Sequence, residues 1–185
     1  MSETKYTIEA RAYDIVGIAA HNFWVLRDEK GQVLGQLHGL ATSVGNIIKP
    51  IGIIGDKLKF YHFGLRAISF GLNPARNLNF IKAGQQSKPM FSGSPKEVLA
   101  RWDNAVKALP YLNSLDVAYT PFGIVGIAAI NSNTAYHLLG KLMGIPVHRF
   151  SLYWQPGWRN AEKILTSSQI ESLMYPGDSA DVYAA

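Results

Sequence analysis

The chain of 185 residues contains no cysteine. That absence excludes structural disulfides, thiolate metal sites and a thiol nucleophile. Charge is also scarce: 17% of residues are charged and 48% are hydrophobic. Such a composition argues against disorder, and the length suits a single domain, 1–185, with a real core. Long apolar runs are missing too. The stretch from Phe122 to Ile130 falls well short of the roughly 20 residues that a spanning helix needs, so no transmembrane segment is expected. The opening Met-Ser-Glu-Thr-Lys lacks the apolar core of a signal peptide. The expectation is a cytoplasmic protein, with export by a dedicated secretion system left open. The five histidines form no His-Glu-x-x-His or comparable pairing, so neither a metal nor a cofactor is expected. The net charge of +5 favours acidic surfaces in general. The cations are scattered, however, with no basic run interleaved with aromatics, and nucleic acid is not an expected partner.

What is present centres on Asn131-Ser132-Asn133-Thr134. An apolar run over 124–130 leads into it, and a helix is predicted from Ser132 to Met143, stopped by Gly144 and Pro146. Asn131 is a good N-cap, which puts Ser132 at the first helical position. A hydroxyl there feels the positive end of the helix dipole beside unpaired backbone N–H groups. Those surroundings suit a nucleophile and an oxyanion, and they equally suit a hydroxyl that only caps the helix.

The second informative stretch is a hairpin. His21 opens an alternating run to Leu26, Asp28-Glu29-Lys30-Gly31 reads as a tight turn, and Gln32 to His38 returns. With Glu29 and Lys30 as turn residues, His21 faces His38, and two imidazoles stand on one sheet face about 5 Å apart at Cβ. A slip of one residue would separate them. The alternative is two unrelated histidines on a half-exposed hairpin.

Together these stretches resemble the circularly permuted papain-like enzymes: the permuted NlpC-type peptidases, the lecithin:retinol acyltransferase group and the PPPDE deubiquitinase-like proteins. There an early-strand His and a polar partner on the next strand precede a late Asn-Cys motif at a helix start. His21, His38 and Asn131-Ser132-Asn133-Thr134 carry the resemblance, over about 25 residues at each site. It implies an α+β fold, an antiparallel sheet carrying the histidines, and a nucleophile at a helix N-terminus. It also implies hydrolysis or acyl transfer at an amide or ester, with peptide, cell-wall or lipid substrates. Ser132 stands where the family has cysteine. A hydroxyl, unlike a thiol, needs a base to take its proton during attack. Three explanations remain: a natural serine enzyme, a version whose nucleophile was replaced, and a relative that binds without turnover. On the enzyme reading Ser132 attacks, His21 moves its proton and His38 orients His21. Asn131, Tyr153 and Trp154 are the candidate substrate contacts. On the binding reading the histidines are structural. The oligomeric state is not legible.

The remaining layout is coarser. Strands are expected over 6–13, 57–63 and 150–154, and a loop with one short strand over 40–55. Residues 73–93 hold Pro74, Gly84, Pro89 and Gly93 without a clear period, and read as a loop insertion beside the substrate cleft. Ser94-Pro95-Lys96-Glu97 is a strong helix start, with the helix ending before Pro110. A last helix is expected over 160–174, with a frayed tail from Tyr175. Ile15–Ala20 recurs as Ile124–Ala129, a similarity too short for a repeat architecture. His62, His137 and His148 are not first choices for a base. The tryptophans are expected mainly in packing.

Overall fold

The structure is a computed structural model that describes residues 4–15, 17–49, 52–64, 80–122 and 128–177. The proposed repeat at 124–129, the C-terminal tail from 178 and the first part of the 73–93 segment fall wholly or partly outside them. The fold is α+β, and the strands among the described residues form one six-stranded antiparallel sheet. The strands are β1 (Tyr6–Ile15), β2 (Ala19–Arg27), β3 (Val33–Thr42), β4 (Ile48–Lys49), β5 (Lys57–Gly64) and β6 (Ser87–Gly93). The helices are α1 (Pro95–Ser114), α2 (Ser132–Leu142) and α3 (Ser167–Leu173). No helix among the described residues is long and apolar enough to cross a membrane.

The sheet order is β4-β3-β2-β1-β6, with β5 also paired to β3. One edge of β3 is paired with β5 from Gly35 to Thr42. The other edge is shared: β2 holds it up to Leu37, and β4 takes over at Ala41. Between them β2 and β3 part, leaving an open seam beside residues 38–40. Because side chains alternate across a strand, β2 divides cleanly. Ala20, Trp24 and Leu26 enter the main core, whereas Phe23 and Val25 enter a smaller cluster on the other face with Leu40, Tyr61 and Phe80. Both α1 and α2 pack on the main-core face, through Trp102, Leu112, Tyr136 and Leu139 among others.

Helix α2 sits very close to the sheet. A Cβ built on Gly39 would lie 2.0 Å from Cβ of Ala135, so only a bare backbone fits under that turn of the helix. At its far end, buried Arg101 donates to the carbonyls of Met143 and Gly144, satisfying acceptors that a helix C-terminus leaves open.

Several expectations are corrected. Residues 87–93 are not loop but strand β6, paired with β1. β6 is an edge strand, where Pro89 tolerates its missing N–H, and the register shifts beside it between Ile8 and Glu9. Helix α1 runs through Pro110 to Ser114, because burial of Leu109 and Leu112 outweighs one lost helical bond. Residues 150–154 form no strand beyond a single bridge from Trp154 to Ala19. The last helix is divided: a 3-10 turn over Ala161–Lys163, then α3, started afresh by a capping box between Thr166 and Gln169. The hairpin register is also displaced. Trp24 pairs with Leu37, and the register shifts between Leu26 and Arg27, so His21 lies diagonal to His38 rather than directly opposite it. The displacement is an even number of residues, and both imidazoles stay on one face.

The close seat of α2 generates a test. Gly39→Ala should lower stability by about 1–3 kcal/mol, since neither backbone can retreat from a buried helix–sheet contact. Urea denaturation measures this directly. A variant as stable as the parent would show that α2 is not seated on β3 as described.

Candidate functional site

His21 and His38 are both fully buried, with near-parallel rings that meet edge to edge and centroids 5.1 Å apart. His21 Nε2 and His38 Nδ1 lie 2.8 Å apart, and His38 Nε2 lies 3.1 Å from Gln36 Oε1. The amide oxygen of Gln36 can only accept, so His38 carries its proton on Nε2. His38 Nδ1 is then an acceptor, and His21 must donate to it from Nε2. The bare nitrogen at the end of this chain is His21 Nδ1, which is buried and has no hydrogen-bond partner among the described residues. The tautomers are thus fixed one after another from Gln36 to His21. Gln36 lies two residues before His38 on the same strand face, and the structure places it beyond His38 rather than in its place beside His21.

The pair is packed by aromatic rings. Phe23 stacks on His38 at 4.6 Å, and Phe80 lies 4.6 Å from His38 and 5.1 Å from His21. Phe80 comes from the segment expected to border the cleft, and it covers the histidines directly. Burial pushes His21 down to about 3. Burial, and then the proximity of His21, hold His38 well below its ordinary value. Both rings are neutral at pH 7.

Ser132 occupies the first position of α2, as expected. Its neighbours are a different matter. The hydroxyl and backbone amide of Ser132 lie against the phenol of Tyr119, as does the amide of Gly52. These contacts favour the phenolate, but burial dominates and pushes the Tyr119 pKa up. No hydrogen bond joins Ser132 to His21. The histidines lie on the sheet face opposite α2, so the structure assembles two members of the expected triad and holds the third at the helix side.

The other three residues of the motif build the junction. Asn131 accepts from the amides of Asn133 and Thr134 at 2.9 and 3.4 Å and donates to the carbonyl of Pro121. Thr134 returns the bond by accepting from Asn131 N–H, completing a capping box, and donates to the carbonyl of Gly157. Asn133 reaches into the seam, where Oδ1 accepts from the backbone N–H of Asn22 at 3.1 Å. Asn22 in turn donates to Gln155 at 2.7 Å. Asn131, expected at the substrate, therefore commits its side chain to the cap. Trp154 is 57% exposed and stacks on Phe122 at 5.4 Å, while Tyr153 donates to Asp14. Neither is hydrogen-bonded to Ser132.

The other histidines serve packing. His62 accepts from the Trp102 indole N–H, and His137 stacks on Trp158 at 5.4 Å. Among the described residues no cluster of three or more His, Asp or Glu side chains could hold a metal ion. Tyr119, Asn22, Gln155 and Phe80 were not singled out from the sequence. Their partners are remote along the chain, and no local pattern marks them. Comparison with family models, with curated proteins and with solved structures returns no match.

Two tests follow from this geometry. The folded His21 pKa of about 3 lies below the unfolded value near 6.5, so the unfolded chain takes up the proton first as pH falls. Stability should decline from about pH 6.5 toward pH 3, by about 1.4 kcal/mol per pH unit for each such histidine. In His21→Gln the slope between pH 6 and pH 5 should be shallower by about one proton's worth. An unchanged slope in denaturant unfolding would contradict a neutral, buried His21. Separately, Asn131→Ala should cost about 1–2 kcal/mol through loss of the α2 cap, read from the same unfolding curves. A loss of only a few tenths would mean that the cap is made elsewhere.

Proposed function

We propose that the chain is a hydrolase or acyltransferase acting on an amide or ester, organised in the permuted papain-like order. His21 is its general base, His38 the residue that orients the base, and Ser132 the nucleophile. The observation that carries the reading is the Gln36–His38–His21 chain ending on a bare, buried imidazole nitrogen. An unpartnered buried acceptor costs about 1–3 kcal/mol. It is also the state a base needs before it accepts a proton.

In the proposed reaction the Ser132 oxygen attacks the substrate carbonyl carbon, and its proton passes to His21 Nδ1. The Asn131 cap already occupies the amides of Asn133 and Thr134. The donors left near an oxyanion are therefore the Ser132 amide and the Tyr119 hydroxyl, both at the start of α2. The proton on His21 then goes to the leaving amine or alcohol, and water or an acceptor alcohol takes the acyl group. Ser132 and His21 lie on opposite sides of the sheet, so this step requires more than a turn of the Ser132 side chain: the β2–β3 seam must open to bring His21 to the start of α2, where Asn133 already ties the first turn to Asn22. A cell-wall peptide amide and a lipid ester are both compatible substrates.

A second reading is a binding domain without turnover. Two observations favour it: Ser132 is held by Tyr119, and His21 is packed among phenylalanines and held at about 3, far below the pH at which a base works best.

Ser132→Cys separates the two, because the chain contains no other thiol. On the enzyme reading iodoacetamide should alkylate Cys at that position at least about tenfold faster than free cysteine at neutral pH, through a raised thiolate fraction. Adding His21→Gln should remove the acceleration. Alkylation no faster than free cysteine, and indifferent to His21, would rule out an activated nucleophile and leave the binding reading.

A further inference from the structure

The end of the sheet where α2 begins carries an unusual amount of uncovered apolar side chain. The β1–β2 turn presents Ile18, 72% exposed, and Trp154 is hydrogen-bonded alongside it through its amide to the Ile18 carbonyl. Leu152, two residues from Trp154, is 75% exposed. At the same end the β3–β4 turn presents Val44, 96% exposed, and Ile47. The β4–β5 loop adds Ile53 and Ile54, and Phe122 lies flat against Trp154. Only two other large apolar side chains among the described residues are exposed, Tyr111 in the last turn of α1 and Leu115 just after it. A monomeric surface scatters such residues singly, whereas here they gather on successive loop tips.

We infer that this rim docks onto a lipid bilayer, inserting the loop tips into the headgroup–acyl boundary, with a preference for anionic lipid. The arrangement suits a bilayer. The apolar side chains project from several separate turns, three of which contain glycines at positive φ (Gly17, Gly45 and Gly55). Separate apolar tips with polar backbone between them match a soft, penetrable surface. Trp154 and Tyr153 add amphipathic rings of the kind that settle at a membrane–water boundary.

Charge agrees in sign. Lys57 and Lys59 share the single carboxylate of Asp116 at 2.6 and 3.3 Å, leaving one excess positive charge beside the Ile53–Ile54 loop. Arg149 is exposed just before Leu152. Of the acidic groups at this end, Asp56 is paired with Lys49, while Asp14 accepts from the Gly17 amide and the Tyr153 hydroxyl and keeps its charge, which Arg149 offsets. The whole chain carries +5.

The test is co-sedimentation of the full chain with vesicles of phosphatidylcholine alone and of an equal mixture with phosphatidylglycerol. The parent should sediment with both and more tightly with the anionic mixture. Val44→Asp, Ile54→Asp and Leu152→Asp alter exposed side chains, so circular dichroism and thermal midpoint should stay at the parent's values. Each should weaken vesicle binding at least about tenfold, as expected when a large aliphatic group no longer leaves water. Trp154→Phe should diminish the quenching of tryptophan fluorescence by brominated lipid. Failure of the parent to bind either vesicle would overturn the inference. So would folded tip variants that bind as well as the parent. A parent that stays off vesicles but sediments as a dimer, dispersed by Leu152→Asp, would assign the rim to a second copy of the chain instead.

Discussion

Everything at the centre of this molecule depends on how the first turn of α2 closes the gap between β2 and β3. Strands that part leave backbone donors without a ladder partner, and in a buried seam each would cost about 1–3 kcal/mol. Asn133 supplies the missing acceptor for Asn22. Asn22 passes the constraint to Gln155, and Thr134 passes it to Gly157. Helix, sheet and the loop over 155–160 are thereby held by one set of buried amide and hydroxyl bonds. Such networks specify position more than they add net stability, because each bond replaces one to water.

The same seam separates two chemical environments. On the helix side lie polar caps and the Ser132–Tyr119 contact. On the other side two neutral imidazoles lie among phenylalanines, ordered by Gln36. A histidine kept unprotonated by its surroundings is a structural object until something changes those surroundings. Any chemistry assigned to His21 therefore concerns Phe80 as much as Ser132, since Phe80 contributes to the apolar burial that depresses the pKa.

How much of this could be read from the chain follows from the range of each signal. The α2 start was legible because Asn131 and Thr134 act within one turn. The shared face of His21 and His38 was legible because a period of two survives an even displacement of register. The displacement itself was not, since the irregularity between Leu26 and Arg27 has no sequence mark. β6 was hidden by Pro89, which suggests loop unless the strand is known to lie at an edge. Ser132 was assigned its neighbours by analogy of order along the chain. Its actual neighbour, Tyr119, is set by tertiary packing with Gly52 and could not be inferred from spacing.

The contact between Gly39 and Ala135 has a meaning for descent as well as for packing. Two Cβ positions 2.0 Å apart cannot both be filled without a shift of helix against strand, so the pair shares a single methyl between them. Drift at either position is then conditional on the other. A lineage could exchange glycine and alanine between the two sites, but neither site could grow alone. Sequences related to this one should show the two positions changing together, a record of the helix–sheet distance that would persist after the residues around it had diverged.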